Sequence, residues 1–77
     1  MKIRILNKNP EQLADSQQAL LDWLIKLAKT KQVLTEGDLM RELNLSAVES
    51  LRSRFSRLQD AKIIEGWVDP SISVEAA

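Results

Sequence analysis

The chain contains no cysteine, no histidine and no tyrosine, and only two glycines, two prolines and three aromatic residues among 77. Without cysteine there is neither a disulfide framework nor a thiolate metal site. Without histidine the commonest metal ligand and the commonest general base are both missing. Gly37 and Gly66 stand alone, so there is no glycine-rich phosphate loop. The acids Glu36, Asp38 and Glu42 could share a helix face, but they are more simply a solvated surface with partners for the helix N-terminal dipole. No apolar run approaches the roughly 20 residues that a membrane-spanning helix needs. The opening "MKIRILNKNP" lacks the apolar core and small-residue cleavage site of a secretory signal. The expectation is a cytoplasmic protein that is not an enzyme and uses no metal or cofactor.

Apolar residues make up 44% and charged residues 29%, the balance of a folded chain, and the length allows one domain with a small core. Eleven basic residues match eleven acidic ones, so net charge does not advertise a nucleic-acid partner. The distribution is more informative. Lys2, Arg4 and Lys8 open the chain without an acid, Arg52, Arg54 and Arg57 share residues 50–58 without one, and Glu65, Asp69 and Glu75 close it without a base.

Residues 1–9 are expected to form an arm or short strand around "IRIL", residues 10–75 the folded domain, and 76–77 a tail. Asn9, Pro10 and Gln12 have the order of a helix start, with Asp15 or Ser16 as a second possible start. Leu13, Leu20, Leu24 and Leu27 then recur at helical spacing, and Leu21, Ile25 and Ala28 form a parallel row. This predicts a first helix to about Lys29. Val33 and Leu34 suit one short strand. Thr35 with Asp38 opens a second helix that buries Leu39, Met40 and Leu43. Asn44 stands where the chain must turn sharply, Leu45 plugs the corner, and Ser46 with Glu49 has the spacing of a capping box for a third helix. Two helices so tightly joined cross at a large angle, the helix-turn-helix arrangement. Beyond them, Ile63 to Val68 and Ile72 to Val74 flank "DPS", which predicts a β-hairpin. Helix, short strand, helix, helix, hairpin is a mainly α fold with a small β-hairpin wing: a winged helix-turn-helix.

In the third helix Val48, Leu51, Phe55 and Leu58 make a buried stripe. Glu49, Ser50, Ser53, Ser56 and Arg57 then point outward, with Arg52 and Arg54 on the borders. Serine is a poor helix former for a merely soluble face. Its short hydroxyl lets a backbone approach a major groove closely while arginine reaches a guanine or a phosphate. The expected DNA contacts are Ser46, Glu49, Ser50, Arg52, Ser53, Arg54, Ser56 and Arg57, with Lys2 and Arg4 from the arm.

"SRFSRLQDAKIIEGWVDPSI" also resembles the junction of recognition helix and wing in Lrp/AsnC-type transcriptional regulators, and more loosely MarR-type ones. The matching positions are Arg54, Arg57, Leu58, Ile63, Ile64, Gly66, Trp67, Asp69 and Pro70. "TEGDLMRELNLS" matches the family's earlier rhythm at Thr35, Leu39, Leu45 and Ser46. The resemblance spans about residues 18–72 and implies a small transcriptional regulator that binds double-stranded DNA sequence-specifically through its third helix. Three departures stand out. Lys62 replaces the usual glycine, the joint to the wing is about two residues short, and the chain stops where the family's effector domain begins, so no small-molecule effector is implied.

Two further expectations concern partners. The first helix carries apolar residues over an arc of about 200°, which suggests a homodimer through Leu20, Trp23, Leu24 and Leu27, whereas Trp67 suits the core edge. The acidic wing and zero net charge instead favour a rival reading, a winged-helix module that docks onto another protein in a larger assembly.

Overall fold

Basic residues alternating with isoleucine over Lys2–Ile5 make a strand with one wet side and one dry side. In the computed structural model, which describes residues 2–69 and 73–77, this strand lies inside the sheet. Among the described residues the elements run β1 (Lys2–Ile5), α1 (Asp15–Thr30), β2 (Val33–Thr35), α2 (Glu36–Glu42), α3 (Val48–Asp60), β3 (Ile64–Glu65) and β4 (Ser73–Ala76). The strands form one sheet in the order β2-β4-β1-β3. β1 runs antiparallel to β3, with Arg4 opposite Glu65, and parallel to β4, with Ile3 opposite Ala76. β2 runs antiparallel to β4, placing Leu34 opposite Val74.

Alternation along the strands sends Ile3, Ile64, Val74 and Ala76 to one face, where they meet Leu20, Leu21, Leu24 and Leu27 of α1, Leu39 of α2 and Leu51, Phe55 and Leu58 of α3. α1 packs on both β4 and α3, and α2 on β2 and α3. No helix among the described residues is long and apolar enough to cross a membrane.

Four expectations are corrected. The first helix begins at Asp15, the second of the two starts expected, and not at Asn9. The Asn7 side chain accepts the Asn9 N–H at 3.0 Å, Gln12 takes a left-handed φ of 54°, and Leu6 and Asn7 both donate to the Ile63 carbonyl. Residues 6–14 are therefore a strap rather than a helical turn. The two arms of the predicted hairpin do not pair with each other, because β1 lies between β3 and β4; Ile72 and most of "DPS" fall outside the described residues. Of the two forms expected for the start of the chain, it takes the short strand and not the arm, and the expected tail at 76–77 joins the same sheet: Ile3 and Ala76 are buried, and Ala77 donates to the Ile3 carbonyl at 2.9 Å. Finally, Leu20, Leu24 and Leu27 have no exposure, and Trp23 is half-buried against the same core with the Lys26 ammonium 4.4 Å above its ring. The sheet on one side and α3 on the other absorb the wide apolar arc, so the leucines cannot form the expected dimer face.

The helix ends follow the expected chemistry more closely. The Thr35 hydroxyl accepts the Asp38 N–H at 3.0 Å and caps α2. Asn44 has φ 56°, and Leu45 and Asn44 donate back to the carbonyls of Met40 and Arg41, which is a complete Schellman turn. α3 ends the same way, with Ile63 and Lys62 donating to Leu58 and Gln59. There, however, a lysine holds the left-handed position, at φ 61°. Gly66, at φ 91°, sits so close to β1 that an added Cβ would lie 2.6 Å from the Lys2 carbonyl oxygen.

These two positions predict opposite outcomes. Lys62→Gly should stabilise the fold by about 0.5–1 kcal/mol, the left-handed strain relieved less the entropy that glycine adds to the unfolded chain. Gly66→Ala should destabilise it by roughly 2 kcal/mol or more through strain and the clash with β1. Urea unfolding of both variants checks this, and shifts of the same sign would contradict it.

The α2 cap adds a pH dependence. Hydrogen bonds from the Thr35 side chain, then the Arg41 guanidinium, hold the Asp38 carboxyl below its ordinary value of 3.8. A depressed carboxyl contributes stability above its unfolded pKa and loses it as pH falls through the folded one. Asp38→Asn should thus lower the melting temperature at pH 7, and the gap to the parent protein should shrink as pH falls below about 4. A gap that stays constant down to pH 2 would show that ionisation plays no part.

Candidate nucleic-acid interface

Once Asn44 and Leu45 are committed to closing α2, the chain runs extended through Ala47 at φ −123°, ψ 131°, and α3 begins at Val48. Ala47 is then the N-cap and no side chain caps the helix, so the predicted Ser46–Glu49 capping box does not form. Ser46 is an exposed residue ahead of the helix, and the Glu49 carboxylate is left outside the cap.

Leu51, Phe55 and Leu58 turn into the core. Glu49, Ser50, Ser53 and Arg57 are exposed, while Arg52, Arg54 and Ser56 are half-buried on the margins. No other part of the described chain covers the outward face. It forms a ridge between two open concavities. One, of about 370 Å³, is lined by Ser16, Glu49, Ser50, Ser53, Arg54 and Arg57. The other, of about 450 Å³, is lined by Glu49, Arg52, Ser53, Ser56, Trp67 and Asp69.

The two flanks differ in charge. Arg52 binds Glu36 through two of its nitrogens, at 3.1 and 3.4 Å, and Asp69 through Nε at 3.3 Å. Glu36, with only 13% of its side chain exposed, is the deeper partner, and its bonds raise the Arg52 pKa further above the ordinary value. The guanidinium thereby joins α2, α3 and the segment after β3. Gln59 secures the same segment, accepting the Trp67 N–H at 2.8 Å and donating to the Trp67 carbonyl at 3.1 Å. Trp67 stacks on Phe55 with centroids 5.8 Å apart and planes 12° apart, at the edge of the core. On the other flank Arg54 donates to the Ser16 carbonyl at 3.3 Å, and the Arg57 guanidinium has no ion-pair or hydrogen-bond partner among the described residues.

Of the residues expected to contact DNA, the structure thus groups Glu49, Ser50, Ser53, Arg54 and Arg57 on one side, with Ser56 and the committed Arg52 on the other. Lys2 and Arg4 do not join them. Lys2 lines a separate concavity with Lys31 and the end of β4, and Arg4 pairs with Glu65 across the sheet at 3.1 Å, because β1 is a strand and not a free arm. Ser16, Glu36 and Asp69 take part unannounced. Glu36 reads in sequence as a dipole partner of α2 and Asp69 as part of a turn, and only the segregation of charge hints that acids would meet the arginines of α3.

The two arginines should therefore behave differently. Arg52→Ala should lower the melting temperature, since it removes the link among three segments, whereas Arg57→Ala should leave it unchanged. Thermal unfolding followed by circular dichroism checks the ranking; the reverse order would mean that the Arg52 network contributes nothing to the fold.

Comparisons of the chain with protein-family models, with curated proteins and with solved structures each return no match, so the functional reading rests on the geometry of α3.

Proposed function

We propose that this chain is a winged helix-turn-helix variant that binds double-stranded DNA by laying α3 in the major groove, in the manner of a small transcriptional regulator. One observation carries the reading. The outward face of α3 is uncovered and combines short hydroxyls with arginine at its border, Ser50 and Ser53 beside Arg54 and Arg57, with Glu49 at its start. Such a face can sit close to base edges while the guanidiniums reach the phosphates. The tight α2–α3 joint at Asn44 and the sheet beside α3 support the same architecture. Arg54 is held only by one long bond to a carbonyl and can turn to a phosphate, whereas Arg52 serves the fold.

Few neutralised phosphates mean modest affinity. With Arg54 and Arg57 as the main contacts, the logarithm of the binding constant should fall with the logarithm of salt at a slope of roughly −2, about 15-fold between 50 and 200 mM. Titrating random-sequence duplex DNA at several salt concentrations measures this. Arg57→Ala should weaken binding and reduce the slope by about 1. An absence of binding at low salt would remove the proposal.

One observation favours protein docking instead: Glu49 and Asp69 flank the half-buried Trp67 in the second concavity, and Arg52, the cation there, is already neutralised. A docking module would leave duplex DNA unbound in the same titration.

A further inference from the structure

We infer that Glu49 selects the DNA sequence by accepting a hydrogen bond from the N4 amino group of a cytosine in the major groove, an inference that rests on the DNA-binding reading above. Glu49 lies in the first turn of α3, the part of a recognition helix that meets base edges. It lines both concavities and so occupies the ridge between them, where a duplex would be approached first. It is exposed, it does not cap the helix, and its carboxylate accepts no hydrogen bond among the described residues.

A carboxylate in that place cannot face a phosphate without repulsion, so it needs a donor from the DNA. The donor and acceptor pattern of the bases narrows the choice. Cytosine shows a single amino donor on its major-groove edge, whereas adenine sets its N7 acceptor beside its amino group, and guanine and thymine show acceptors only. The neighbours of Glu49 discriminate less. Serine hydroxyls both donate and accept and so tolerate any base. Arg54 and Arg57 line the first concavity, where the proposed docking assigns them to phosphates, and Arg52 is held by Glu36 and Asp69. Glu49 is the carboxylate of α3 that lines the two concavities, whereas Asp60, the other exposed acid of the helix, lies at its far end, so Glu49 is the one placed to make the surface selective. A plainer role, an acid near the positive end of the helix dipole, accounts for its presence in the first turn but predicts no effect on base preference.

The experiment is selection from a library of randomised duplexes at low salt, performed with the full chain and with Glu49→Gln, followed by sequencing of the bound pools. Glutamine keeps the size and removes the charge, and its amide pairs with the N6 and N7 of adenine. The parent protein should enrich cytosine at one position, the variant should move that same position to adenine, and the other enriched positions should stay as they were. Replacing that cytosine should weaken the parent protein by roughly 5- to 150-fold and the variant by much less. The variant should melt slightly below the parent protein, because the charge it loses sits in the first turn of α3 and near Arg52, and this small shift does not bear on base preference. Identical enriched sequences for the two proteins, or DNA binding without any enrichment, would overturn the role of Glu49 and leave the DNA-binding reading standing. Failure of the parent protein to retain any duplex would overturn that reading itself.

Discussion

Hydrogen bonding on both edges of Lys2–Ile5 ties the start of the chain to its end and to the segment that follows α3. β3 is only two residues long and could not persist without β1 beside it, and β4 would have a single partner. With β1 in place, Ile3 completes the floor beneath α1 and α3, and Leu6 and Asn7 fasten the Ile63 carbonyl just as the chain leaves the helix. Gly66 is the condition for this arrangement, since it allows the chain to pass the Lys2 carbonyl closely enough for the sheet to close. The position of the Trp67–Asp69 segment, and through it the charge on one flank of α3, follows from that closure.

Much of the local structure was legible because it obeys short-range rules. The Thr35 cap, the left-handed Asn44 and the corner residue Leu45 lie within a few residues of the partners that satisfy them, and helical spacing alone set Leu51, Phe55 and Leu58 of α3 inward, though Val48, expected with them, is only half-buried. The resemblance to Lrp/AsnC-type regulators drew on the same region and expected a glycine where Lys62 stands. The backbone there takes the conformation that a glycine would, at a cost the tertiary structure carries.

What was not legible depends on residues distant in the chain. Nothing local to "IRIL" says that it lies between two strands some 60 to 70 positions away, so a paired wing was the simpler expectation. The width of the apolar arc on α1 was visible, but not that this sheet and α3 would together cover it. The candidate interface divides in the same way. Helical spacing alone places Glu49, Ser50, Ser53 and Arg57 outward, whereas the capture of Arg52 depends on Glu36, sixteen residues earlier, and on Asp69, seventeen later.

That capture also reconciles zero net charge with the DNA-binding face proposed for α3. Attraction to a duplex depends on cations within about a Debye length of its phosphates, roughly 8 Å at physiological salt, and not on the sum over the chain. Glu36 and Asp69 neutralise Arg52, and Glu65 pairs with Arg4 on the sheet. The acids nearest Arg52 and Arg4 are thus spent on cations that the fold uses, which leaves the Arg54–Arg57 flank as the basic side of the ridge. If α3 binds a duplex as proposed, so few cations cannot hold it by charge alone, and discrimination would have to come from groups that touch the bases. Short hydroxyls beside the Glu49 carboxylate, rather than a field of lysines, are what the proposed division of labour would require.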